Sequence, residues 1–215
     1  MIISPGRRYI FVNAPKTGGT SLSLALEARA MKDDILIGDT PKARRRRRRL
    51  AQLSAAGPLW KHSTLADIDG VLPPEVLAKC LVFTLVRNPW DRMVSYYHWL
   101  RTQRFHHPAV DLARAEGFSR FLNHPLTETT FRAAPYEVYT KTADGVQRAD
   151  LFMRLENLDA DLPALEAHLG FALRPMPHVN RSARRDNYRS YYTDDDAESL
   201  ARICAADIER FGYVF

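Results

Sequence analysis

Residues 8–31 read RYIFVNAPKTGGTSLSLALEARAM, and the reading of this stretch decides the fold. "RYIFVNA" (8–14) is a continuous apolar run with aromatic and β-branched residues, the pattern of a strand buried on both faces. From residue 19 to 31, Leu22, Ala25 and Leu26 recur at helical spacing. The turn between them holds one lysine, Lys16, two glycines, Gly18 and Gly19, and three hydroxyls, Thr17, Thr20 and Ser21. A strand that passes through a tight turn into a helix is the unit of an α/β fold, and ligands of such sheets sit beyond the carboxyl ends of the strands. A turn there aims backbone amides and the positive end of the helix at one point, which is the geometry that binds phosphate or sulfate. Gly18 and Gly19 let the backbone approach closely. Lys16 adds a point charge, and the hydroxyls add donors. The competing reading is an ordinary strand–turn–helix in which "TGGTS" merely caps. A nucleoside triphosphatase loop would carry its lysine after the last glycine. Here the lysine precedes both.

The theme returns in "LVFTLVRNPWDRMVSYY" (81–97). "CLVFTLVR" (80–87) is a second buried strand. Asn88 suits an N-cap, Pro89 the first helical position and Asp91 the first turn, so the spacing predicts a helix from about 89 to 104. Arg87 closes the strand at the same sheet edge as Lys16, and Ser95 follows roughly two turns into the helix. Arg87 and Ser95 can hold one phosphate from two sides, the arginine with a bidentate fork. They can equally be a guanidinium paired to Asp91 and a small packing residue.

Elsewhere strands and helices interleave. Residues 35–37 suit a short strand, 63–72 a short helix capped by Ser63 or Thr64, and 73–79 another helical piece. "FSRFLN" (118–123) is amphipathic. Residues 136–155 suggest a strand pair around an Asp144-Gly145 turn. Residues 157–170 and 193–212 each carry an apolar helical stripe, closed by Gly170 and opened by Thr193 respectively. Residues 40–60 are the least regular. The pattern is one α/β domain over 1–215 with a mainly parallel central sheet flanked by helices.

The bulk numbers bound the function. With 215 residues, 46% hydrophobic and 26% charged, the chain suits one well-buried core. No apolar run is long enough to span a membrane, and no apolar leader precedes a cleavage site, so a cytoplasmic protein is expected. Cys80 and Cys204 fit buried thiols in a reducing compartment. No cluster of His, Cys or acids has metal-ligand spacing. The net charge of +6 is one local feature, because Arg44–Arg49 holds six positives and the rest of the chain balances. That run is read slightly in favour of a solvated face over an electrostatic lure for an anionic partner.

"PKTGGTS" (15–21) followed by "VRNPWDRMVSYY" (86–97) resembles the sulfotransferases that use 3′-phosphoadenosine 5′-phosphosulfate (PAPS), and "MRLENLDADLPALEAHLG" (153–170) and "RFGYVF" (210–215) are similar to their Golgi-type carbohydrate and bacterial branch. The resemblance implies a P-loop-like three-layer fold. It implies that Lys16, Thr17, Gly18, Gly19, Thr20 and Ser21 contact the 5′-phosphosulfate and that Arg87 and Ser95 contact the 3′-phosphate. It further implies PAPS as sulfuryl donor, 3′-phosphoadenosine 5′-phosphate (PAP) as product, no metal, and a carbohydrate or other hydroxyl acceptor. In-line attack asks for a general base. Of seven histidines, His62 in "WKHSTLADI" is the candidate, since similar carbohydrate sulfotransferases place their base before a short helix between the two motifs. Glu27 and Asp91 are the fallback bases. His98 is expected to pack, and His106, His107 and His124 to lie at the surface. "HVNRSARRDNYRSYY" (178–192) is read as a loop near the nucleotide. The acceptor site is expected from residues 32–60 and 105–140. Two other functions compete: a kinase or nucleotide hydrolase on a related fold, and a polyanion-binding module built on Arg44–Arg49. The displaced lysine argues against the first, and the neutral remainder argues against the second and against nucleic acid.

Overall fold

The computed structural model describes residues 1–177, 179, 184–185 and 187–215. In chain order the elements are β1 (Ile2–Ser4), β2 (Tyr9–Val12), α1 (Gly19–Ala28), β3 (Ile35–Leu36), α2 (Pro41–Arg46), α3 (Pro74–Leu77), β4 (Leu81–Val86), α4 (Pro89–Thr102), α5 (Pro108–Ala115), α6 (Phe118–Leu122), α7 (Pro125–Arg132), α8 (Tyr136–Tyr139), β5 (Leu151–Arg154), α9 (Leu158–Leu169), α10 (Asp194–Ile203) and α11 (Ala205–Phe211). Short 3-10 turns lie at Arg47–Gln52, Leu155–Asn157 and Tyr188–Tyr191. The chain forms two compact units, residues 1–86 with 136–180 and residues 87–135 with 181–215.

The first unit contains the sheet, with strand order β3-β1-β2-β4-β5. β2, β4 and β5 are parallel, while β1 runs antiparallel to both β2 and β3. All strands but β1 therefore share one direction, and the centre is parallel. The apolar runs are continuous because both faces are covered. Phe11, Phe83, Leu85 and Met153 pack with Leu22 and Leu26 of α1 and Leu162, Leu165 and Leu169 of α9. Ile10, Val12 and Val82 face the other way, onto Leu65 and Ile68. The Phe11 and Phe83 rings, paired across β2 and β4, stack at 5.3 Å.

The second unit is helical. Trp90, Met93, Val94 and Tyr97 of α4 pack with Val110, Phe121, Phe131 and Leu200 from the helices around it. The buried Arg92 donates to the Ala134 carbonyl at 3.3 Å and lies 4.0 Å from the buried Asp207.

Several local expectations change. Residues 63–72 do not form a helix. Thr64 and Asp67 do make the reciprocal cap, with Thr64 N–H donating to Asp67 Oδ2 at 2.7 Å and Asp67 N–H to Thr64 Oγ1 at 3.1 Å. The carbonyls of Asp67 and Asp69 then accept from Gly57 and Ala56, so the chain turns instead of winding on. Residues 136–155 hold α8, one antiparallel bridge between Lys141 and Gln147, and β5, which pairs with β4 rather than with a hairpin partner. The 193–212 helix is broken at Cys204 into α10 and α11. The irregular 40–60 region contains α2, whose N-cap Thr40 accepts from Ala43 N–H.

Candidate active site

β2 ends at Val12, and the chain reaches α1 through Asn13–Gly18. Two residues of this turn adopt left-handed backbone: Gly18 at φ +80° and, without glycine's freedom, Lys16 at φ +67°. Alternation of left- and right-handed residues turns successive amides inward, the arrangement of an anion nest. Strain of this kind in a non-glycine residue concentrates at functional sites. Helix α1 opens on Gly18 with no side-chain cap hydrogen bond and no acid in its first turn, so its own first turn carries nothing that offsets the positive end. Gly18 is favoured by its left-handed backbone, and Gly19 by the close approach of Asn13. A Cβ at Gly18 would come within 2.9 Å of Leu155 Cδ1, and one at Gly19 within 1.9 Å of Asn13 Oδ1.

Lys16, Thr20 and Ser21 are half-buried at the turn. Thr17 is fully buried, and its hydroxyl donates to the Ala14 carbonyl at 2.9 Å. Its side chain thus braces the loop, and only its backbone can turn toward a ligand.

His62 reaches the same turn from the loop between β3 and β4. Its Nδ1 lies 2.7 Å from the Asn13 carbonyl. A carbonyl only accepts, so Nδ1 carries the proton and the Nε2 lone pair is left as the acceptor. Burial lowers the His62 pKa to about 4; the Asn13 bond opposes this, while Lys61 and Lys16 add to it. The imidazole is therefore neutral at physiological pH. Trp60 stands at right angles to it, ring centroids 5.1 Å apart, and is half-exposed as a residue. Ser63, fully buried, fixes this corner by accepting from Trp60 N–H at 2.9 Å and by sharing its one O–H between the Pro58 and Trp60 carbonyls, each 2.8 Å away.

Glu27, a fallback base, is buried in α1 and its carboxylate accepts from Thr40 Oγ1 at 2.7 Å. Burial raises its pKa. Asp91, the other fallback, belongs to the second unit. Its Oδ2 accepts from Arg87 Nε and Nη2 at 2.9 and 2.6 Å, and its Oδ1 lies 2.6 Å from Arg184 Nη2. Both carboxylate oxygens thus face guanidiniums, which leaves the group engaged in ion pairs within its own unit. In this geometry Arg87 has the Asp91 partner that the competing reading gave it, and Ser95 is 7% exposed on α4.

The structure brings the Lys16–Ser21 turn and His62 together in the first unit, and Arg87, Asp91 and Ser95 together in the second. Asn13, Trp60 and Arg184 were not singled out by sequence. Arg184 falls in the 178–192 loop, of which residues 178, 180–183 and 186 lie outside the described residues. Nothing local in the sequence marks Asn13, whose importance comes from Gly19 and His62 meeting on it. Among the described residues no group of three or more His, Cys, Asp or Glu is placed to hold a metal. No described helix is long and apolar enough to cross a membrane.

A model of the sulfotransferase family matches residues 1–214. No curated protein matches the chain in sequence. Among solved structures, a mouse sulfotransferase complexed with PAP aligns at 14% identity, covering 96% of this chain and 86% of that one, with a TM-score of 0.49.

Proposed function

Because the chain belongs to the sulfotransferase family, we propose that it moves a sulfuryl group from PAPS to a hydroxyl of a carbohydrate acceptor. The observation that carries this reading is the pairing of an uncapped, strained anion turn with a neutral histidine whose Nε2 is the open end. The acceptor oxygen attacks sulfur as the bond from sulfur to the 5′-phosphate oxygen breaks. The electron pair leaves on that oxygen, giving PAP, and the acceptor proton passes to His62 Nε2. Lys16 and the amides of Gly18–Ser21 meet the 5′ group, and Lys16 holds the charge that builds on the leaving phosphate. A nucleotide with two phosphate groups asks for two anion sites. Arg87 and Ser95 take the 3′-phosphate, which competes with Asp91 for the arginine.

The half-exposed Trp60 ring beside His62 supports a carbohydrate, since a flat apolar face next to the base suits the C–H face of a sugar ring. The unpaired state of Cys80 and Cys204 supports a reducing compartment such as the cytoplasm.

Radiolabelled PAPS offered with a panel of neutral and acidic oligosaccharides tests the reading. Label should move to at least one sugar with the native chain and scarcely at all with Lys16→Ala. Transfer at full rate by Lys16→Ala, with unchanged PAP affinity, would remove the turn from the site.

A further inference from the structure

Asn13 is 7% exposed, and among the described residues no hydrogen bond engages its carboxamide. Its main-chain carbonyl is engaged by His62. Its side chain lies against the first residue of α1, with Oδ1 nearest to Gly19 and Nδ2 farther out, at 1.9 and 3.3 Å from where a Gly19 Cβ would stand. The small exposure left to the residue lets solvent serve the carboxamide, and a ligand that takes this edge replaces solvent as its hydrogen-bond partner. This one sits at the uncapped end of a ten-residue helix, inside the turn that carries Lys16. Helix end, strained turn and unpartnered amide converge on one spot, and the residue that supplies the amide also fixes the tautomer of the base.

We propose that the Asn13 carboxamide donates a hydrogen bond from Nδ2 to a sulfuryl oxygen of PAPS. The inference rests on the sulfuryl-transfer reading. It separates two jobs of one residue: the main chain orients His62, and the side chain recognises the group being transferred. Asn13 makes and breaks no covalent bond. It holds the sulfuryl oxygens while sulfur passes from the phosphate oxygen to the acceptor oxygen.

PAPS carries the sulfuryl group and PAP lacks it, so the two ligands isolate this contact without an acceptor. Calorimetric titration of native chain, Asn13→Ala and Asn13→Asp with each ligand is the test. Asn13→Ala should bind PAPS about tenfold or more weakly, the size expected of a charge-assisted hydrogen bond, and PAP within about threefold of native. Asn13→Asp keeps the shape against Gly19 and offers no donor at neutral pH, so it should lose PAPS at least as strongly. It serves if the alanine variant fails to fold. The ¹⁵N resonances of His62 should keep the Nδ1–H pattern in both variants, because the carbonyl remains. Equal loss of PAPS and PAP, or a changed His62 tautomer, would make Asn13 a structural residue and overturn the proposal, as would unchanged PAPS affinity. Failure of the native chain to bind either nucleotide would instead overturn the sulfotransfer reading itself.

Discussion

His62 works on this account as a neutral imidazole whose readiness comes from where it is buried. Its proton is fixed on Nδ1 by the Asn13 carbonyl, and burial lowers its pKa to about 4. The pH dependence follows. In the free enzyme the base is deprotonated down to about pH 4, so kcat/KM for the donor should stay level from pH 8 to about 5 and fall below that. An acidic limb near the ordinary histidine value would contradict the buried geometry. Stability has the same origin and a defined sign. The unfolded chain binds the proton near pH 6.5 and the folded chain near 4, so stability is lost as pH falls through that window, by up to ~1.4 kcal/mol per pH unit. Urea unfolding of His62→Gln should show a shallower fall over the same range. The variant should bind PAP as the native chain does and lose about 10²–10⁴ in kcat. Residue types at the turn were legible in the sequence, but their duties were not equally so. Lysine beside two glycines announces an anion site, whereas the burial of Thr17 and the turning of its hydroxyl to Ala14 depend on how the loop closes.

At the scale of elements, the arginine run divides into two functions. Arg46 on α2 donates to the Met31 and Asp34 carbonyls at 2.8 and 3.1 Å, and Arg49, one turn on, donates to the Lys32 carbonyl at 2.7 Å. These two satisfy backbone groups between α1 and β3. Arg44, Arg45, Arg47 and Arg48 are exposed. Replacing Arg46 and Arg49 by Ser should lower the melting temperature, at roughly 0.5–1.5 kcal/mol per hydrogen bond lost. Replacing the other four should leave both melting temperature and PAP affinity unchanged, and reduce binding to heparin at low salt only, as expected of screened surface charge. A fall in PAP affinity in the fourfold variant would bring the run into the nucleotide site. A composition-level reading sees six like charges and cannot separate these roles. Their spacing only matters once α2 lies along the 31–34 carbonyls. The same limit hid α5 and α7. Both begin with His-Pro, and His107 and His124 act as N-caps through Nδ1, accepting from Ala109 and Leu126 N–H at 3.1 Å. Proline at the first helical position and acids at Asp111 and Glu128 were the readable signals. Histidine is not an ordinary cap, so both residues read as surface histidines. Conversely β2, β4, α1, α4 and α9 were legible because burial on both sheet faces and a helical apolar stripe are written directly into residue type. β1 was not, since three residues carry too little pattern to read.

For the whole molecule, the proposed function needs two anion sites, one at the strained turn before α1 in the first unit and one at Arg87 and Ser95 after β4 in the second. Each is ambiguous alone, because a glycine turn can merely cap and an arginine can merely pair with Asp91, as it does in this structure. Their occurrence in order on two strand–turn–helix segments, after the parallel strands β2 and β4, is the sequence feature on which the proposed site rests. The acceptor was not readable, since recognition of a sugar depends on surface shape instead of on a motif, and Trp60 gains meaning only from its place beside His62. The most direct test of the central claim is a calorimetric comparison of PAP, 5′-AMP and adenosine 3′-phosphate on the native chain, Lys16→Ala and Arg87→Ala. The account predicts that PAP binds the native chain more tightly than either monophosphate by about tenfold or more, the value of one charge-assisted contact. It predicts that Arg87→Ala removes the advantage over 5′-AMP while Lys16→Ala removes the advantage over adenosine 3′-phosphate. Equal affinity of all three nucleotides for the native chain, or equal losses for all three in both variants, would contradict it.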